Sequence, residues 1–74
     1  MQTDGASAMP EATERVDGFS LKILRLQHGV RQVAIARYLG TSRQRVTRIE
    51  SEQRPTQDAV RRYMQALELA TGDL

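Results

Sequence analysis

The chain reads as an all-α protein, a bundle of four or five short helices. Three observations predict this. Apolar residues recur at helical spacings from Phe19 onward, no stretch alternates as a strand would, and Gly29, Gly40 and Pro55 punctuate the pattern at tight-turn intervals. With 74 residues the chain forms one small domain with a modest core, which argues against an enzyme with a deep substrate pocket. Cysteine is absent, which excludes disulfide frameworks, zinc ribbons and thiol nucleophiles. One histidine cannot hold a metal alone, so neither metal nor cofactor is expected. No apolar run approaches the roughly 20 residues of a membrane span and no signal-peptide core appears, so a cytoplasmic location is expected.

Residues 1–18 are small, polar and aperiodic, and set Asp4, Glu11, Glu14 and Asp17 against Arg15. They are expected to form a disordered acidic N-terminal arm. The folded domain is expected over 19–71, with 72–74 as a C-terminal tail. The first helix, Phe19 to His28, places Leu21 and Leu24 on one face with Arg25 beside them, and Gly29 stops it. Phe19, Ile23 and Leu26 form a second apolar stripe, read either as a subunit or partner interface or as a surface covered by the arm or the last helix. His28 reads as a packed or capping residue.

The second helix, Gln32 to Leu39, turns Ile35, Ala36 and Leu39 inward and ends at Gly40. Ser42 caps the third helix, in which Val46 and Ile49 are the only apolar residues. A polar loop from Ser51 to Pro55 leads to a second cap at Thr56. The last helix, Gln57 to Ala70, carries Val60, Tyr63, Met64 and Leu67 at the i, i+3, i+4, i+7 spacing of a buried face.

Charge is segregated along this framework. The first 18 residues carry four acids against one arginine, a net −3, whereas residues 31–54 carry six arginines against two glutamates, a net +4. Ten of the eleven cations are arginine, whose planar fork suits phosphates and guanine edges. The joint between the second and third helices is so short that it forces a steep crossing, with Gly40 where a positive φ is needed. At about 100° per residue, Val46 and Ile49 point toward the second helix. Gln44, Thr47, Arg48 and Ser51 point away, flanked by Arg43 and Arg45. A helix anchored by two residues that otherwise offers arginine, glutamine and threonine suits a DNA major groove.

On these residues the stretch from Leu21 to Leu69 resembles the Cro/cI (XRE-type) helix-turn-helix family, with its lambda-repressor-like fold. The resemblance is carried by Leu21, Leu24 and Arg25; by Gly29 and Gln32; by Ile35-Ala36, Leu39-Gly40 and Ser42; by Val46 and Arg48-Ile49-Glu50; and by Pro55 with the closing helix to Leu67. It implies a sequence-specific, double-stranded-DNA-binding transcriptional regulator, a repressor that enters the major groove with helix 42–50. At the matching positions Arg43, Gln44, Thr47 and Arg48 would contact bases. Gln32, Ser42 and Arg54 would contact phosphates, joined here by Arg31 and Arg45, and Arg25 and Glu50 would form a partly buried structural ion pair. Tyr38 is read as packing, with a hydroxyl within reach of a phosphate.

Three departures stand out. Arg31 replaces the usual Thr or Ser cap, at a cost of about 1 kcal/mol. Glu52 stands where the family commonly has Gly, and little room is left before Leu74 for the fifth helix by which many relatives dimerise. One recognition helix makes too few base contacts for useful specificity, so a homodimer on a palindromic operator is expected. The alternative rests on the Val60–Leu67 run, which resembles the closing helix of HigA-like antitoxins and implies a toxin protein as partner, with DNA binding serving autoregulation. Ser42 has no base at a plausible spacing and the acids form no catalytic pair, so no enzyme is expected.

Overall fold

The structure, a computed structural model, describes residues 16–74; most of the expected acidic arm, residues 1–15, lies outside it. Four helices make up the described chain: α1 (Gly18–Gln27), α2 (Gln32–Leu39), α3 (Arg43–Ser51) and α4 (Gln57–Gly72), with no strand among these residues. The all-α reading holds, with four helices among the described residues.

The start of α1 differs from the sequence reading. Asp17 and Gly18, assigned to the arm, instead cap and open the helix. The Asp17 carboxylate accepts the Ser20 N–H at 2.8 Å, and the Ser20 hydroxyl together with this N–H lowers its pKa below the ordinary value. The Gly18 N–H donates to the Glu52 carbonyl at 2.8 Å, tying the start of α1 to the end of α3. Val16 packs against the core from outside the helix.

At the other end of α1, His28 caps the helix and its Nδ1 lies 2.9 Å from the Leu24 carbonyl. Gly29 takes φ 69°, and the Val30 N–H closes back on the Arg25 carbonyl at 3.1 Å. The same device ends α2: Gly40 takes φ 71° and the Thr41 N–H bonds the Ala36 carbonyl at 3.0 Å. Both turns use the left-handed conformation that glycine adopts without a Cβ penalty.

Packing centres on α2, which lies against both α3 and α4, while α1 crosses α3 and α4. Leu21, Val30, Ile35, Ala36, Val46, Ile49, Tyr63, Ala66, Leu67 and Ala70 form the core. Met64, expected in that core, is 40% exposed. The buried face of α4 centres on Tyr63, Ala66, Leu67 and Ala70, which rotates Met64 to the margin beside α1. Small side chains at 66 and 70 let α4 approach its neighbours closely. The last helix also runs beyond Ala70: Gly72 belongs to α4, Asp73 caps it, and the Tyr38 hydroxyl donates to the Asp73 carboxylate. Residues 72 and 73 are therefore not a free tail.

Gly18 is held by close approach rather than by its φ. A Cβ there would fall 2.1 Å from the Ile49 carbonyl oxygen and 2.6 Å from the Glu50 carbonyl carbon, both backbone atoms. Gly18→Ala is expected to lose about 3 kcal/mol in urea unfolding, although alanine is the better helix former. At Gly29, where a Cβ meets nothing within 4 Å, alanine should cost only the left-handed backbone penalty of about 1 kcal/mol.

Candidate nucleic-acid interface

The turn between α2 and α3 sets the third helix on the surface. The Ser42 hydroxyl accepts the Arg45 N–H at 3.2 Å and caps α3 at the residue after Thr41. Val46 and Ile49 sink into the core, and Glu50 is the third buried residue of the helix. Arg43, Gln44, Arg45, Thr47, Arg48 and Ser51 all remain exposed. The outer face of α3 is therefore polar, and every charge on it is positive. Of the two acids in this region Glu50 turns inward, and Glu52 is exposed in the loop beyond the helix.

Glu50 is enclosed by donors. Its Oε2 accepts Arg25 Nε at 2.7 Å and the Tyr63 hydroxyl at 2.6 Å. Its Oε1 accepts Arg25 Nη2 at 3.2 Å and Gln32 Nε2 at 3.0 Å. The remaining end of the Arg25 fork donates from Nη1 to the Val30 carbonyl at 2.9 Å. Arg25 and Glu50 are each 6% exposed, so the pair is buried rather than partly buried.

Burial alone would raise the Glu50 pKa, but the bonds from Arg25, Tyr63 and Gln32 outweigh it and hold the carboxyl below its ordinary range. Burial opposes the charge of Arg25 as well, yet the Glu50 carboxylate leaves that guanidinium harder to deprotonate than usual. For Tyr63 burial and the bond to Glu50 act together, pushing the phenol well above its ordinary value.

Gln32 links this network to the exposed face. While its amide nitrogen donates to Glu50, its Oε1 accepts Arg43 Nη1 at 3.3 Å and lies 3.4 Å from the Thr47 hydroxyl, whose proton has a nearer acceptor in the Arg43 carbonyl at 3.2 Å. Gln32 is half-buried at the first position of α2, and its side chain ties α2 to the outer surface of α3. Arg31, just before it, caps α2 without a side-chain bond and lies exposed. Ser42 and Arg45 sit together at the start of α3, whereas Arg54 lies in the exposed α3–α4 loop, apart from the helix. Sequence reasoning treated Tyr63 as apolar core and Gln32 as a phosphate contact, and missed that both donate to Glu50. The available signal was the polar tip of a tyrosine in a buried stripe, which needs a partner when it leaves water.

The arrangement is a short helix, a glycine turn and a second helix that presents its polar face. The helix-turn-helix family model matches residues 21–74. The chain belongs to the XRE-type helix-turn-helix family. No curated protein and no solved structure matches it. Family membership makes this helix-turn-helix protein a DNA-binding transcription regulator, of a family that is not typically enzymatic. Among the described residues no helix is long and apolar enough to cross a membrane, and no cluster of metal-ligating side chains occurs.

The buried carboxylate carries a pH signature. Because its native pKa is depressed, ionised Glu50 contributes stability above its unfolded value and loses it as pH falls through the native value. Urea unfolding from pH 7 to 3 is expected to show stability declining below the ordinary glutamate value of 4.5. Glu50→Gln should be less stable by about 3 kcal/mol at pH 7, because it strands the Arg25 charge in the core. It should also be flatter toward low pH, with the residual slope coming from groups such as Asp17.

Proposed function

We propose that this protein is a sequence-specific repressor that lays α3 in the major groove of an operator and occludes a promoter. The observation that carries this is the outer face of α3, where no acid interrupts Arg43, Gln44, Arg45, Thr47 and Arg48. Arg43, Gln44, Thr47 and Arg48 are the base-reading residues of this proposal, arginine toward guanine and glutamine toward adenine. Gln32, Ser42, Arg31, Arg45 and Arg54 contact phosphates and fix the register without reading sequence. Gln32 keeps a second amide hydrogen for that purpose while the first holds Glu50.

Three or four base contacts at about 1–3 kcal/mol each fall short of the specificity an operator requires, so two copies act together on a palindrome. Its half-sites lie about 34 Å apart, one helical turn. A second reading, an antitoxin that also binds a toxin protein, draws on the exposed apolar stripe of Phe19, Ile23 and Leu26, which α4 does not cover. Co-purification of a second chain from the native source separates it from the first.

Selection of bound duplexes from a random pool tests the main reading and should return a two-fold-symmetric site. On that site Arg48→Ala is expected to cost about 1–3 kcal/mol and to relax the preference at one base pair. Equal losses on selected and random DNA would restrict Arg48 to the backbone. Binding should weaken steeply with salt as the arginines displace counterions.

A further inference from the structure

An apolar feature of the described surface lies away from α3, along the seam between α1 and α4. Two hollows of about 520 and 580 Å³ adjoin there, sharing Leu24 and Met64 in their walls. No residue of α2 or α3 lines either hollow. Phe19, 62% exposed, and Ile23 stand at one hollow, and the 40% exposed Met64 stands between the two. An apolar surface of this kind on a small domain marks an interaction site.

The polar edge of the groove identifies its occupant. Along the outer face of α4, Arg61, Gln65 and Glu68 follow at spacings of four and three, and all three are exposed. This order is self-complementary. If a second α4 lies antiparallel across a two-fold axis between Met64 and Gln65, residue 61 of each copy faces residue 68 of the other. Arginine then meets glutamate twice. The same register sets Gln57 opposite Gly72 and brings Asp58 level with the uncharged Thr71, so no like charges meet. A parallel alignment would instead put Arg61 against Arg61 and Glu68 against Glu68.

Resting on the two-copy reading above, we infer that the α1–α4 face docks a second copy of this chain, α4 against antiparallel α4. Met64 sits at the axis and Ile23 and Phe19 at the flanks. Isologous interfaces require this self-complementarity of one patch, which an unrelated partner has no reason to match. The 16 residues of α4 give an edge of about 24 Å, and the α1 stripe extends it toward the roughly 800 Å² per subunit of a standard interface. Arg61 already meets Asp58 on its own helix, but both groups are more than half exposed, and such a pair is weak enough to be shared. The docked face leaves the α3 surface free, as a DNA-bound dimer requires.

Sedimentation equilibrium of the full chain without DNA tests the face. The wild type should show a monomer–dimer equilibrium. Arg61→Glu and Glu68→Arg should each weaken it about tenfold, since each variant turns two attractive pairs repulsive. The double variant R61E/E68R should return to within about threefold of wild type, because it restores both pairs with reversed signs. Ile23→Glu, at an exposed site, should weaken association with no rescue, and circular dichroism melts confirm that each variant is folded. Single variants that associate like wild type, a double variant that fails to recover, or a chain that stays monomeric at tenths of a millimolar would overturn the interface. A chain that is monomeric or dimerises elsewhere yet still selects a palindromic site would remove this face alone and leave the two-copy reading standing.

Discussion

One buried carboxylate ties the four helices together. Glu50 belongs to α3, and its donors come from Arg25 on α1, Gln32 on α2 and Tyr63 on α4. Burying a charged pair carries a desolvation cost of several kcal/mol, so the network is tolerable only because its polar atoms are matched. Its contribution lies in geometry more than in stability. A small core of aliphatic side chains can repack with little loss, but a carboxylate with four donors accepts one relative placement of the helices that supply them.

That placement serves the surface. α3 has only Val46 and Ile49 as apolar anchors, and the rest of its length is polar. Glu50 supplies a third anchor at its C-terminal end, and the Gly18 amide, bonded to the Glu52 carbonyl, holds the chain just beyond. The same inward turn of Glu50 removes an acid from the exposed face. A segment (residues 31–54) with two glutamates among six arginines thereby presents a helix surface bearing only positive charge, the condition for close approach to phosphates. Gln32 carries the constraint outward, since its carbonyl oxygen meets Arg43 and Thr47 while its amide is held from below. Side chains held before binding lose less entropy on binding, which favours the base-reading role proposed for this face.

The remaining apolar surface follows from the same allocation of faces. Arg25 and Leu21 point α1 into the core, so Phe19, Ile23 and Leu26 are left outside it. On α4 the inward set of Tyr63, Ala66, Leu67 and Ala70 leaves Met64 at the edge of that exposed stripe. The molecule thus separates a basic face on α3 from an apolar seam between α1 and α4, and each is open to a different partner.

Local pattern alone determined the helix order, the glycine turns at Gly29 and Gly40, the caps at Ser42 and Thr56, and the split of α3 into an apolar edge and a polar face. Each depends on residues within a turn or two of one another, where spacing and backbone preference decide the outcome. Family resemblance pointed further, to the partnership of Arg25 and Glu50. The tertiary structure alone decided what depends on distant segments meeting. Gly18 opens a helix because the Ile49 backbone leaves no space for a side chain. Val30 is buried because the turn after α1 folds back over the core, and Tyr63 and Gln32 turn to Glu50 because three helices converge there. No periodicity encodes such convergence, since the contacting atoms lie 13 and 18 residues apart in the chain and become neighbours only when the bundle closes.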